Sequence, residues 1–218
     1  METMVHTDQI TIRRIQSPGA GTLFMKRAFD IVCAALGLLV LSPVLLVTAI
    51  LVGTTSPGGV LFRQERMGRG GVPFTIYKFR TMRQDNAGLK ITTGHDSRIT
   101  PVGRVLRKTK LDELPQLWNV LKGDMSFVGP RPEVREYTDL YNEEQRQIFL
   151  VRPGITDLAS IEFRNENDLL TDSDDPNRTY IEEIMPQKLQ LGLDYIENMS
   201  LCYDIRLILR TLVTVVRD

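Results

Sequence analysis

The sequence predicts an α+β fold, mostly helical, with a re-entrant membrane helix near the N-terminus, a small β-hairpin and interfacial amphipathic helices around one compact domain. Three observations carry that prediction. An uncharged apolar run, Ile31 to Val52, holds Ser42-Pro43 at its middle. Two short strand-like pieces flank a glycine-rich turn at Gly68-Arg69-Gly70-Gly71, and apolar residues recur at helical spacing through much of the remainder.

The 218 residues suffice for one ordinary core and not for two large ones. They divide into a polar arm over 1–22, the membrane helix-break-helix over 23–54, and a domain over 55–218 that ends in interfacial helices. The formal net charge is zero, so no global excess of basic groups argues for nucleic acid, and any anion site must be local. Two distant cysteines, Cys33 and Cys202, give neither a disulfide framework nor a zinc spacing. Two histidines, His6 and His95, are too few for a histidine triad or metal cluster.

Ile31 to Val52 would extend roughly 33 Å as a helix, about the thickness of a bilayer core. Basic residues flank it on both sides: Arg13, Arg14, Lys26 and Arg27 before, Arg63, Arg66 and Arg69 after. The positive-inside rule therefore wants both ends in the cytoplasm, which a segment satisfies only by turning back. Pro43 cannot donate to the carbonyl near Leu39, and the Ser42 hydroxyl can bond back to a freed carbonyl, so the break belongs there. Each leg would dip about 16 Å into one leaflet. A kinked span and a buried core helix are the competing readings.

After "TTSPGG", the pieces Val60 to Arg63 and Pro73 to Phe79 form the predicted hairpin. Residues 86–100 read as loop. Leu111, Leu114, Leu117, Trp118 and Leu121 mark a helix stopped by Gly123, with Asp112 at or beside its N-cap and Pro115 in its first turn. "NEEQRQIFLV" reads as another helix, residues 164–178 as a surface loop, and Tyr180 to Arg217 as helix interrupted at Gly192. The last stretch, "IRLILRTLVTVVR", mixes apolar residues with Arg206, Arg210 and Arg217, which suits either a helix in the membrane interface or a core helix with a basic face.

The adjacent acids Asp112 and Glu113 point in different directions and are not a face-to-face acid pair. Two readings stay open for them: a helix cap with a first-turn acid, or a convergent pair at a helix N-terminus where an ionised Asp112 serves as Mg²⁺ ligand and as nucleophile toward phosphorus. Lys78, Arg80, Arg104, Arg107, Arg131 and Arg164 stand singly among apolar residues and turns instead of in solvated runs. Cations held that way clamp phosphates. "GRGG" lacks both the P-loop and the dinucleotide pattern and is read as a turn.

Taken together, "YKFRTM", "TPVGRVLRKTKLDELPQLWNVLKGDMSFVGPRPE" and "RPGIT" make the chain resemble, from about Lys26 to its C-terminus, the bacterial sugar transferases, the monotopic phosphoglycosyl transferases acting on polyprenol phosphate. The resemblance implies Mg²⁺-dependent transfer of a sugar 1-phosphate from a UDP-sugar to undecaprenyl phosphate with release of UMP. That is the first membrane step of assembling an O-antigen, capsule, exopolysaccharide or glycoprotein glycan, at the cytoplasmic face of the inner membrane. It implies Asp112 as the nucleophile of a covalent intermediate and a metal ligand, and Glu113 as metal ligand or proton acceptor. Lys78, Arg107, Arg131 and Arg164 match its phosphate- and nucleotide-contacting positions, and Ser42-Pro43 its helix break. Where many members carry "ITGWAQ" this chain reads "ITDLASIEFRNEND", at the sugar end of the site, so no particular sugar is carried over. A homodimer stays open, with no residue pattern that demands it. A non-catalytic membrane scaffold would need no Mg²⁺, and an ordinary glycosyltransferase would release UDP.

Overall fold

A computed structural model describes residues 13–56, 58–83, 98–164, 166–171 and 173–217. His6, His95, most of the loop expected at 86–100 and the first twelve residues of the expected arm lie outside them. The described end of the arm is pinned: Ile15 is buried, its N–H donates to Gln147 at 2.7 Å, and Arg13 pairs with Glu197.

The apolar run forms α1 (Ala20–Val40) and α2 (Ser42–Thr55), bent by 62° at Leu41. The Ser42 hydroxyl donates to the Leu39 carbonyl at 2.8 Å, and Pro43 occupies the first turn of α2, where a missing N–H costs nothing. No single described helix is long and apolar enough to cross a membrane; only the bent pair reaches that length and composition together. Its tip is bare, with Leu39 71% and Val40 70% exposed. The outer ends touch the rest of the molecule through single buried residues, Lys26 and Asp30 on one leg and Val52 on the other.

The hairpin pairs β1 (Leu61–Met67) with β2 (Pro73–Phe79), Leu61 opposite Phe79 and Met67 opposite Pro73. The first strand runs four residues past its predicted end at Arg63, because backbone pairing with β2 continues through the polar positions that mask it in the sequence. Next comes α3 (Pro101–Lys108), capped by Thr100, whose Oγ1 accepts from the Gly103 N–H at 2.9 Å.

The helix predicted from Leu111 divides. Leu111–Glu113 is a 3₁₀ turn, and α4 (Gln116–Lys122) starts only after Pro115 and stops at Gly123, whose φ of 100° needs glycine. Asp112 is therefore not its cap. Trp118, expected on the apolar stripe, is 54% exposed, while Asn119 is fully buried. The Asn119 amide donates to the Thr75 carbonyl at 2.7 Å and accepts from the Tyr77 N–H at 3.2 Å, satisfying the edge of β2 that faces away from β1.

A parallel pair, β3 (Ser126–Val128) with β4 (Gly154–Thr156), has no counterpart in the sequence reading, since three-residue strands show no period. A Cβ on Gly154 would lie 2.2 Å from the Gly129 nitrogen, so glycine is what lets "VGPRP" and "RPGIT" meet. A short α5 (Arg135–Thr138) follows β3. Gln145–Leu150 is 3₁₀ and not the predicted α-helix: Asn142 and Gln145 exchange caps at its start and Pro153 stops it within two turns.

After α6 (Leu158–Glu162), the predicted surface loop holds α7 (Glu166–Thr171) and α8 (Pro176–Thr179), because Leu170 is 1% exposed and anchors the segment in the core. Then come a π-helical turn at Tyr180–Ile184, α9 (Met185–Glu197) and α10 (Leu201–Arg217). Gly192 does not interrupt α9; the Ile148 side chain packs where its Cβ would be. The main core gathers Val128, Ile148, Leu193, Tyr195 and Leu207 between β3, α9 and α10.

Polar side chains fasten α1 to this body. Lys26 pairs with Asp204 of α10, with both side chains buried. Arg27 donates to the Val120 and Leu121 carbonyls at 2.6 and 2.9 Å, at the C-terminal end of α4. Asp30 accepts from the Ser126 hydroxyl and the Phe127 N–H, each at 3.0 Å. On the other leg, Val52 packs with Phe79 and Leu106. Both legs of the bent pair thus pack on the same body.

Candidate active site

Three elements converge on the two acids. The left-handed backbone of Lys110, φ 56°, turns the chain out of α3 into the 3₁₀ turn that carries Asp112 and Glu113. The last strand residues of β2 bring Lys78 across, and the loop after β3 brings Arg131. One Glu113 oxygen, Oε1, accepts from Lys78 Nζ at 2.7 Å and from Arg131 Nη2 at 3.1 Å. Burial works against charge on Glu113, but Arg131 and Lys78 outweigh it and hold the carboxyl well below the usual range.

Asp112 is in the opposite condition. It is buried, and its Oδ1 has no hydrogen-bond partner among the described residues. Burial and then the adjacent Glu113 charge push its carboxyl above the ordinary aspartate value, with Lys78, Lys110 and Arg107 pulling the other way. The stabilising helix N-terminus expected from the sequence is absent, since the acid precedes α4 by a full turn.

Arg107 donates from Nε to Thr81 Oγ1 at 2.9 Å and from Nη2 to Met82 Sδ at 3.0 Å, close enough for its charge to act on Asp112. Arg80 is turned away: its guanidinium is buried, with Nη2 3.5 Å from the Leu61 carbonyl and Nε without a partner among the described residues. Arg164 is exposed in the turn after α6. Of the residues singled out in the sequence, the structure therefore gathers Asp112, Glu113, Lys78 and Arg131, with Arg107 nearby, and joins neither Arg80 nor Arg164 to the acids. Lys110 went unnamed as a site residue; a positive φ on lysine leaves no mark in sequence.

An unpartnered, buried carboxylate oxygen beside a second carboxylate, ringed by cations, fits a metal-bound phosphate. Among the described residues no group of three or more acids, histidines or cysteines gathers to hold a metal alone. The donor set that is present, two adjacent carboxylates, is one that Mg²⁺ commonly takes when substrate phosphate and water complete its shell.

The family model described as bacterial sugar transferase matches residues 21–218. The chain belongs to the bacterial sugar transferase family. One relative of this sugar transferase is the UDP-glucose:undecaprenyl-phosphate glucose-1-phosphate transferase of Caulobacter vibrioides, 41% identical over 191 residues, 85% of this chain and 67% of that protein. A second is the UDP-N-acetylgalactosamine-undecaprenyl-phosphate N-acetylgalactosaminephosphotransferase of Aeromonas hydrophila, 40% identical over 197 residues, 88% of this chain and 44% of that protein. The exopolysaccharide production protein PSS of Rhizobium leguminosarum bv. phaseoli is 41% identical over 201 residues and is covered over 95% of its length. The sugar transferase thus spans less than half of the Aeromonas protein and nearly all of the Rhizobium one. The two relatives whose names give a sugar give different ones.

In this sugar transferase Arg131 has a second side. Beyond Glu113 it borders a small cleft, partly open to solvent, that is also lined by Asp157, Leu158 and Ala159. Those are residues of the stretch that departs from the family's usual pattern.

Proposed function

We propose that the protein transfers a sugar 1-phosphate from a UDP-sugar to undecaprenyl phosphate and releases UMP, by way of a covalent sugar-phosphate on Asp112, at the cytoplasmic face of the inner membrane. The observation that carries the reading is the contrast between the acids: Glu113 is locked to two cations, whereas Asp112 is buried with an oxygen that has no partner among the described residues. Glu113 fixes Lys78 and Arg131 in place; Asp112 is left to react.

In the first step an Asp112 oxygen bonds to the sugar-bearing phosphorus and the bond from that phosphorus to the bridging oxygen breaks, so UMP leaves with the bridge oxygen. In the second step a phosphate oxygen of undecaprenyl phosphate bonds to the same phosphorus, and the Asp112–phosphorus bond breaks to restore the carboxylate. Splitting the transfer in two avoids holding a diphosphate and a phosphate against each other at once. Lys78 and Arg131 face the charge that develops on the transferred phosphoryl oxygens, with Arg107 behind them. Asp112 and Glu113 would hold Mg²⁺, which when bound neutralises the diphosphate and polarises its phosphorus. A carboxyl held as acidic as Glu113 is a weak base, which favours the ligand role over proton acceptance.

The membrane reading rests on the bent pair. Both ends pack on one body while the apolar tip is bare, as a segment that enters and leaves one leaflet requires. Exposed Trp118, and on α10 Ile205, Leu209 and Leu212 beside Arg206 and Arg210, would meet the bilayer surface from the same body.

The test of the intermediate is to mix the protein with Mg²⁺ and a sugar-labelled UDP-sugar without acceptor, quench, digest and map the label. Label on the peptide bearing Asp112, lost in Asp112→Asn and discharged by undecaprenyl phosphate, is expected. Transfer without any protein-bound label would overturn the two-step route.

A further inference from the structure

We propose that Glu133 and Tyr180 are positioning residues for the transfer. The Tyr180 hydroxyl, together with Arg66, anchors the Glu133 carboxylate, and that anchor sets where Arg131, two residues upstream, presents its guanidinium. The inference rests on the transfer reading above, in which Arg131 faces the charge that develops on the phosphoryl oxygens.

No step of the transfer uses Glu133, yet its carboxylate is largely enclosed and both oxygens are taken. Oε1 accepts from the Tyr180 hydroxyl at 2.6 Å and Oε2 from Arg66 Nη1 at 3.1 Å. The two donors come from distant parts of the chain, β1 and the π-helical turn Tyr180–Ile184. Single π turns are rare and gather at functional sites. This one holds Tyr180 buried, its ring 5.0 Å from that of Tyr137, with the hydroxyl on Glu133.

The link from Glu133 to Arg131 is short and stiff. Arg131 lies between Pro130 and Pro132, and Pro132 confines it to extended backbone while fixing its own φ. The main chain is bonded on both sides of Arg131. The Pro130 carbonyl accepts from the Gly154 N–H at 3.0 Å, the Pro132 carbonyl from Arg66 Nη1 at 3.2 Å, and the Glu133 carbonyl from the Met67 N–H at 2.8 Å. At its tip Arg131 meets Glu113 through Nη2 at 3.1 Å, so its reach is set by where the loop holds its backbone.

Stability does not account for the arrangement. Burial works against the Arg66 charge more than Glu133 supports it, and Arg66 Nε has no partner among the described residues. The desolvation cost of such a buried pair offsets much of its attraction. The pairing has another effect: with Arg66 beside it, Glu133 anchors the loop without adding an uncompensated negative charge next to a site that must receive phosphates. The Glu133 charge does reach Arg131, behind those of Glu113 and Asp157.

The experiment uses the full chain in nanodiscs with Mg²⁺, undecaprenyl phosphate and whichever of UDP-glucose, UDP-galactose, UDP-N-acetylglucosamine and UDP-N-acetylgalactosamine the wild type turns over to UMP. Single-turnover UMP release is measured well below the thermal midpoint of every variant. Tyr180→Phe keeps the ring and loses the hydroxyl; it should slow release roughly tenfold, less than the about 100-fold expected from deleting a group that stabilises developing charge. Glu133→Gln should slow it by a similar factor. Tyr137→Phe removes a neighbouring hydroxyl that donates to Asn177 at 3.1 Å, and should change the rate by less than about twofold. The deciding arm is a cycle with Arg131→Ala: once Arg131 is gone its placement no longer matters, so adding Tyr180→Phe should slow release no further. A wild-type rate in Tyr180→Phe or Glu133→Gln, an equal loss in Tyr137→Phe, or losses that multiply in the double variant would overturn the inference and leave the transfer reading intact. UDP or no nucleotide from the wild type would sink the transfer reading and this inference with it.

Discussion

Asp112 and Glu113 are neighbours whose environments drive them apart, and each difference has a measurable consequence. A carboxyl whose folded pKa lies above its unfolded value costs stability as pH rises through the folded pKa, because the folded state then holds a charge it resists. Asp112→Asn should therefore abolish transfer and raise the thermal midpoint at neutral pH, by about 2–4 °C for each kcal/mol recovered. The gain should shrink as pH falls through the raised Asp112 pKa, where the wild-type side chain is neutral too. A midpoint that drops in this variant would mean the carboxylate is a structural partner after all. Glu113 has the reverse sign. Its folded pKa is depressed, so its contribution is complete above about pH 4.3 and is lost as pH falls. Glu113→Gln leaves Lys78 and Arg131 without their counter-charge and should cost about 1–3 kcal/mol at neutral pH, less than a fully buried pair because Arg131 is partly exposed. Denaturant midpoints would show it, and a cost under about 0.5 kcal/mol would remove Glu113 from its anchoring role. The identity of these residues was legible in the sequence because their motif is long and ordered. Their opposite charge states were not, since these depend on which side of the 3₁₀ turn faces Lys78 and Arg131.

The element that decides topology is the bent pair α1–α2. Its break was legible because proline removes a donor at a known place and the preceding serine offers a replacement, and the Ser42–Leu39 hydrogen bond is that local chemistry realised. The basic residues on both flanks are the reason for expecting the two legs to return to one side of the bilayer. What the sequence could not show is the fastening of the legs to the body through Lys26, Arg27, Asp30 and Val52, contacts that join positions about a hundred residues apart or more on the α1 side. The short elements escaped for a different reason. Three residues of β3 or β4 and the two brief helices over 166–179 carry no periodicity, and their existence depends on tertiary partners such as Leu170 in the core. The membrane reading predicts that single cysteines at Thr7 and Ser97, in a background lacking Cys33 and Cys202, react with an impermeant reagent from the same, cytoplasmic, side. Labelling of the two sites from opposite sides would establish a span and end the re-entrant account.

At the scale of the whole molecule, the proposed transfer asks one body to meet both a nucleotide sugar and a lipid. The acids, their cations and the adjoining cleft belong to the body on which both legs of the bent pair pack, which is the arrangement that the proposed transfer between a water-soluble donor and a bilayer-bound phosphate would need. The α+β class with a helical majority was legible from hydrophobic spacing and the hairpin turn. The route by which Arg131 connects the acids to a cleft was not, because it needs β3 and β4 to close on one another at Gly129 and Gly154. The central claim is transfer of sugar together with its phosphate. The most direct measurement is the nucleotide released by the purified full chain from a panel of UDP-sugars, with undecaprenyl phosphate and Mg²⁺ in nanodiscs. UMP, released with wild-type protein and not with Asp112→Asn, is the predicted result; UDP, or equal UMP release by the variant, would contradict it.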